Sequence, residues 1–398
     1  MREALMDEPG TSAAEQHGDR PRGTVWEVAG VFLHLGIIGF GGPAAHIALM
    51  RQELVRRRGW VSDERFVDLM GATNLIPGPN STELAIHLGF ERARWRGLVT
   101  AGVCFIVPAA LMVTALAWAY VRYGQTPAVQ GLLYGVVPVV IGIIAHALLA
   151  LLRTVIKGFG LALQAVAALA AYLAGVNELI ILAAGAALAV AAHLAGRARG
   201  GRMHSFVAAP LAAAGHPLFV DPTGGQLAQL FTTMLKIGAV LYGSGYVLLA
   251  FLRGDFVERL GWITQQQLLD AVSIGQVTPG PVFTTATFIG YLIAGPLGAL
   301  LATIAIFLPS FVFVGLLTRL TGKLRSLPWT SALLDGLNTT ALALMAGVTW
   351  QLGCAAIIDP LTAALTVATA LAVWKTKLNT AWYIAAGAAI GLAHAALT

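Results

Sequence analysis

Asn74-Leu75-Ile76-Pro77-Gly78-Pro79-Asn80 lies in the middle of an apolar stretch, residues 66–90, that is otherwise long enough to cross a bilayer. Two prolines around a glycine remove two backbone donors and disfavour helix at the residue before each proline. The stretch must therefore break at its centre. It is either a broken spanning helix or a re-entrant hairpin whose two half-helices return to their own side. A second string, Gln276-Val277-Thr278-Pro279-Gly280-Pro281, repeats the pattern 202 residues later.

Working outward from these strings, residues 34–88 align without a gap on residues 236–290. Gly36 meets Gly238, Arg51 meets Arg253, Gly59-Trp60 meets Gly261-Trp262, and Asp68 meets Asp270. After a one-residue slip the register continues, with Gly97 on Gly298 and Pro108 on Pro309. The organisation expected is a disordered tail over 1–25, a first repeat over 26–196, a linker over 197–226 and a second repeat over 227–398.

Composition sets the solvent. With 57% hydrophobic and 11% charged residues among 398, the chain cannot close over a water-facing surface. Its long apolar runs carry 45 glycines and 17 prolines and lack the ten-residue alternation of a membrane barrel, which implies an all-α polytopic membrane protein. The first 24 residues have no apolar core and read as neither a signal nor a transit peptide. Cys104 and Cys354 stand alone in apolar runs, so neither a disulfide framework nor a metal site is expected, and no cofactor. The net charge of +6 comes from short basic clusters between apolar runs, which orient a membrane protein and do not suggest nucleic acid as a partner.

Those clusters decide between the two readings of the break. If every apolar segment spans, the basic residues divide almost evenly between the faces. If 66–90 and 267–293 are re-entrant, 18 of 25 fall on one face: Arg51, Arg56, Arg57, Arg58, Arg65, Arg92, Arg94, Arg96, Arg153, Lys157, Arg197, Arg199, Arg202, Arg319, Lys323, Arg325, Lys375 and Lys377. Five crossings per half is an odd number, so the halves are inverted. The expected fold has two inverted-topology repeats, about ten transmembrane helices and two re-entrant hairpins, with the linker cytoplasmic and both termini outside.

A helix broken at membrane depth leaves free amides and the positive end of its dipole there, a place where an anion can bind without any basic side chain. The candidate binding residues are Asn74, Pro77, Gly78, Pro79, Asn80, Ser81 and Thr82 in the first half, and Gln276, Thr278, Pro279, Gly280, Pro281, Thr284 and Thr285 in the second. For any single hydroxyl, a local bond to a carbonyl one turn back is the simpler explanation. Lys236 adds a basic side chain deep in an apolar run, either to pair with the anion or to couple transport to pH through its own proton. Its repeat partner is His34. Glu83 and His87, four residues apart on the outgoing half-helix, share a face and are candidate coupling residues with His34. Gly39, Gly41, Gly42 and Pro43, with Gly243, Ser244 and Gly245, break the first helix of each half, and close helix packing explains them as well as substrate contact does. His46 reads as a core histidine.

The strings Gly39-Phe40-Gly41-Gly42-Pro43, Gly59-Trp60, Asn74 to Pro79, Tyr242-Gly243-Ser244-Gly245-Tyr246 and Gln276 to Pro281 resemble the chromate ion transporter family, in its long two-domain form. The resemblance covers nearly the whole chain beyond the tail. It implies a secondary transporter that exports chromate across a bacterial inner membrane by alternating access and confers resistance, with sulfate as a look-alike anion. The partners expected are the oxyanion, membrane lipid and a second copy in a homodimer. Two other classes compete: an inorganic-anion channel, and an intramembrane enzyme acting on lipid phosphates. The enzyme would need paired acidic clusters, and only Asp63, Glu64 and Asp68 come near. No GxxxxGK[ST] string exists for ATP.

Overall fold

The computed structural model describes residues 23–198, 225–243, 245–324, 330–376 and 378–397. Residues 1–22 of the tail expected over 1–25, residues 199–224 of the linker expected over 197–226, and Ser244 lie outside the described residues, as do Arg199, Arg202, Arg325 and Lys377. Among the described residues every regular element is a helix. The first repeat contains α1 (Val25–Ile38), α2 (Gly42–Met50), α3 (Asp63–Thr73), α4 (Asn80–Tyr123), α5 (Pro127–Val155), α6 (Phe159–Leu173) and α7 (Glu178–Ala198). The second contains α8 (Gln226–Val240), α9 (Leu248–Leu252), α10 (Gln265–Val277), α11 (Thr285–Leu324), α12 (Thr330–Ala356), α13 (Pro360–Lys375) and α14 (Thr380–Leu397). The repeat extends to irregularities. Both α2 and α9 run on into π-helical turns, Arg51–Arg57 and Arg253–Arg259, at the same repeat positions.

The expected re-entrant hairpins are present. α3 enters, the chain turns at Pro77–Pro79, and the first part of α4 returns, so that Arg65 at the entry pairs with Glu91 at the exit at 2.6 Å. α4 then reverses at Ala93 and Arg94, and α11 does the same at Ala294 and Gly295. The reversal is tight because glycines allow it. A Cβ on Gly97 would lie 2.1 Å from the Gly89 carbonyl, and one on Gly298 would lie 2.1 Å from the Gly290 carbonyl.

One expectation needs correction. The segment 26–50 does not cross. α1 and α2 form a second hairpin about Gly41, which has φ +104, and the chain returns to where it started. At that end the Trp60 indole donates to Glu27 at 3.1 Å, and Arg92 pairs with Glu27 at 3.0 Å. The second repeat has the same hairpin, with Lys236 of α8 bound to Asp255 beyond α9 at 2.6 Å. The physical reason is that Gly39 to Pro43 stops the helix after 14 residues, about two-thirds of what a bilayer requires. Crossing is left to α4 beyond its bend and α5 to α7, and to their counterparts in the second repeat. Six described helices are long and apolar enough to cross by themselves, while α6 and α13 are shorter.

Inversion does not depend on that count. Trp95, just after the bend in α4, packs on Gly315, with Arg319 5.3 Å above its ring, and Gly102 packs on Phe311. Low numbers in α4 thus meet high numbers in α11, so these repeat-related helices are antiparallel and the twofold relating them lies in the membrane plane. Around this core α5 packs on α13 and α14 of the other repeat, and α12 packs on α6 and α7. Glycine contacts, such as Gly135 on Gly387 and Gly336 on Gly185, bring these backbones together. Close packing has to hold the helices, because lipid removes the hydrophobic drive between them.

Following the helix directions, Arg51, Arg56–Arg58, Arg65, Arg92, Arg94, Arg96, Arg153, Lys157, Arg319 and Lys375 all reach one face, the basic face. There Arg51, hydrogen-bonded to Asp63, holds the Asp63 carboxyl below its usual range. The first described residues lie on this face too, beside Arg92, to whose carbonyl the Gly23 amide donates. The two ends of the described chain are therefore on opposite faces, since α14 runs away from the basic face. This replaces the expectation of both termini on the outer side. The early hairpin removes one crossing from each half: it moves the start of the chain to the basic face and puts the start of α8, beside Glu178, on the face opposite the end of α7.

Candidate functional site

The four hairpin tips meet at the centre of the bundle. The Gly78 amide donates to the Leu241 carbonyl at 2.8 Å, and the Gly280 amide donates to the Gly39 carbonyl at 2.8 Å. These are one bond made twice by the repeat, each Pro-Gly-Pro turn clasping the first-helix break of the other half. Gly78 has φ +134 and Gly280 has φ +100, conformations that strongly favour glycine. Further ties hold the tips. His46 bonds the Gly39 carbonyl at 2.9 Å and Ser81 at 3.3 Å, and the Tyr242 hydroxyl donates to the Leu75 carbonyl.

Beside the tips lies a cavity of about 360 Å³. Asn74, Ile76, Pro79, Asn80 and Ser81 line it from the first Pro-Gly-Pro turn, and Val282 and Phe283 from just beyond the second. Pro43, Tyr242, Gly243 and Gly245 line it from the two first-helix breaks. Further walls come from Leu151 and Val155 at the basic-face end of α5, and from α12 between Leu334 in its first turns and Met345 near its middle, with Asn338 among them. Among the described residues no charged side chain lines it, so an anion there would meet amide and hydroxyl donors and the start of the α4 half-helix. At about 30 Å³ per water the space admits a small anion with part of its hydration.

The candidate residues are placed unequally. Asn74, Pro79, Asn80 and Ser81 face the cavity, with Asn80 donating to Asn74 at 2.8 Å. The amides of Gly78 and Gly280 are occupied by the clasp, while Pro77, Pro279 and Pro281 shape the turns. Thr82 is buried with its hydroxyl unpartnered. The second-half hydroxyls are satisfied locally: Thr278 donates to Ile274, Thr284 to Pro281 and Thr285 to Val282. Gln276 is half-buried beside Tyr246.

Lys236 is not in the cavity. It pairs with Asp255, which Arg259 also contacts at 3.0 Å. His34, its repeat partner, is exposed on the outer side of α1. Glu83 is fully buried behind the Gly78 turn, and His87 is buried one turn further along. Asn338 was missed by sequence reasoning. Its signal was the polar run Asn338-Thr339-Thr340 inside an apolar span, unusual enough in a membrane helix to mark a cavity wall.

The two halves do not sit alike. Asp270 is 2% exposed and takes a hydrogen bond from Tyr120 at 2.7 Å, whereas its counterpart Asp68 is exposed. Leu269 is 1% exposed and its counterpart Val67 is 47% exposed. On the side away from the basic face the second-repeat hairpins pack against α5 and α12, with Gln265 donating to the Gln351 carbonyl at 3.3 Å.

The family model for the chromate transporter matches the chain twice, over residues 26–190 and 228–392. The chain belongs to the chromate transporter family. It is 35% identical to a chromate transport protein of Cupriavidus metallidurans over 387 residues, 96% of each chain. It is 32% identical to one from Pseudomonas aeruginosa over 380 residues, 90% of each chain. A probable chromate transport protein of Synechococcus elongatus is 35% identical over 355 residues, 86% of this chain and 88% of that one. No solved structure matches the chain. The two family matches fall on the two repeats, so each family unit supplies two hairpins and their crossing helices to the shared centre.

Proposed function

We propose that this family member is a secondary active transporter that exports chromate, or a tetrahedral oxyanion such as sulfate, across a bacterial inner membrane by alternating access, and so confers chromate resistance. One observation carries the reading: tips from both inverted repeats line a single cavity whose outer walls are the basic-face ends of α5 and α12. The positive-inside rule makes the basic face cytoplasmic, so the cavity is reached from the cytoplasm in this state. Exchanging the conformations of the two repeats would pack the α3 hairpin against the surrounding helices and free the α10 hairpin, opening the cavity to the other side. The names of the relatives supply the anion, and uncharged donors suit its release because no paired cation must be broken. An open channel is disfavoured by the packing that closes the far side, where Tyr120 and Asp270 meet.

The test is uptake of radiolabelled chromate into inside-out vesicles. Saturable uptake that depends on an imposed ion or voltage gradient is expected. Uptake that grows linearly with concentration would point to a channel, and none above empty vesicles would reject transport of this anion.

A further inference from the structure

We propose that Glu83 is the proton-binding site of this transporter, and that its proton must be in place for a dianion to occupy the adjoining cavity. The inference rests on the transport reading above. Glu83 is 0% exposed and stands at mid-bundle, two residues beyond the cavity-lining Ser81. Neither of its carboxyl oxygens has a well-formed hydrogen bond. A Cβ on Gly78 would lie 2.2 Å from its Oε1, so the carboxyl is held against the clasping turn itself.

The groups facing it are all neutral or able to be neutral. From α11 comes the Ser310 hydroxyl, and from the break after α8 comes Tyr242, which also lines the cavity. On its own helix is His87, whose Nδ1 is buried and unpartnered, and from α2 comes His46, bound through Ser81. Among the described residues no lysine or arginine acts on the carboxyl. A bare carboxylate in such a place costs far more than an acid that keeps its proton. Beside a dianion the cost rises again, so proton and anion favour each other's binding, and the linkage is reciprocal.

The fold does not require the acid. At the equivalent position the second repeat has Thr285, whose hydroxyl is used by the Val282 carbonyl, and that hairpin forms equally well. Titratable side chains able to relay the Glu83 proton line its half-helix in the first repeat, whereas Thr285, Ile289 and Ile293 take the corresponding positions in the second. Glu83, His87 and Glu91 recur at four-residue spacing, hence on one face of the half-helix, leading from the clasp to the Arg65–Glu91 pair at the basic face.

The experiment measures equilibrium binding of radiolabelled chromate to the purified full chain across the alkaline range, where the anion's own protonation does not intervene. Wild type should lose affinity as pH rises, approaching about tenfold per pH unit for one linked proton. Glu83→Gln, which mimics the protonated acid in shape, should bind with little pH dependence, and His87→Gln should keep the wild-type slope at equilibrium. Equal slopes in wild type and Glu83→Gln would overturn the proposal. So would infrared spectra in which the carbonyl band of a protonated carboxyl is the same in both. The spectra need no bound anion, so they test the acid even in a variant that binds poorly. Absence of chromate binding in wild type at every pH would instead reject the transport reading.

Discussion

The amide of Gly78 donates to the carbonyl of Leu241, 2.8 Å away in the other repeat. Leu241 occupies the repeat position of Gly39, which accepts the matching bond from Gly280. A turn that lacks amides because of its prolines therefore uses one of its few remaining donors to hold the other half of the molecule. The clasp fixes both halves of the site at once.

Replacement of either glycine should then disable the protein. A Cβ at residue 78 would lie 2.8 Å from Ser310 Oγ as well as against Glu83, and one at residue 280 would lie 2.6 Å from the Ala109 Cβ. Strain of this backbone type is worth about 1–3 kcal/mol before any clash is counted. Gly78→Ala and Gly280→Ala should each remove chromate protection in cells at matched membrane levels. Full protection by either would show that the clasp is dispensable.

The state seen here is closed away from the basic face, and closure can be made permanent. Gln265→Cys with Gln351→Cys, joined by a short bis-thiol reagent in a chain free of Cys104 and Cys354, should arrest transport and leave chromate able to bind from the basic face. Continued transport in fully cross-linked protein would mean that these helices do not separate during the cycle.

Lys236 is explained by its partner. Removing one member of a largely buried pair leaves a stranded charge, at a cost of about 3–5 kcal/mol. Here Arg259 partly compensates for loss of the lysine. Lys236→Met and Asp255→Asn should each lower the melting temperature, and the double variant should recover part of the loss. Additive losses in a double-mutant cycle would deny the pair.

Much of this was legible in the sequence, and the part that was not has a definite cause. Pro77-Gly78-Pro79 announced a break because proline's missing donor is a local fact, and the repeat announced that the break occurs twice. The hairpin at Gly41 was ambiguous, since a glycine cluster serves close helix packing as readily as a reversal. The contact of Glu27 with Trp60 and Arg92 distinguishes the two. That one ambiguity changed the crossing count and moved the start of the chain to the other face. Lys236 was visible as an intramembrane cation, but its partner Asp255 lies across a turn that the sequence read as passing through the membrane.

Labelling can check the corrected topology. Single cysteines at Thr24 and Ser62 should react with an impermeant reagent from one side, and a cysteine at Thr264 from the other. Thr24 reacting together with Thr264 would restore a spanning first segment.

The most direct measurement is the stoichiometry of radiolabelled chromate bound to purified protein, in wild type and in variants that fill the cavity from each wall. Ser81→Trp intrudes from the first repeat, Val282→Trp from the second, and Asn338→Leu removes an uncharged donor from α12. One anion per chain is expected for wild type, with binding lost in both tryptophan variants and weakened in Asn338→Leu. Two anions per chain, or a tryptophan on one wall that leaves binding intact, would contradict a single site shared by the inverted halves.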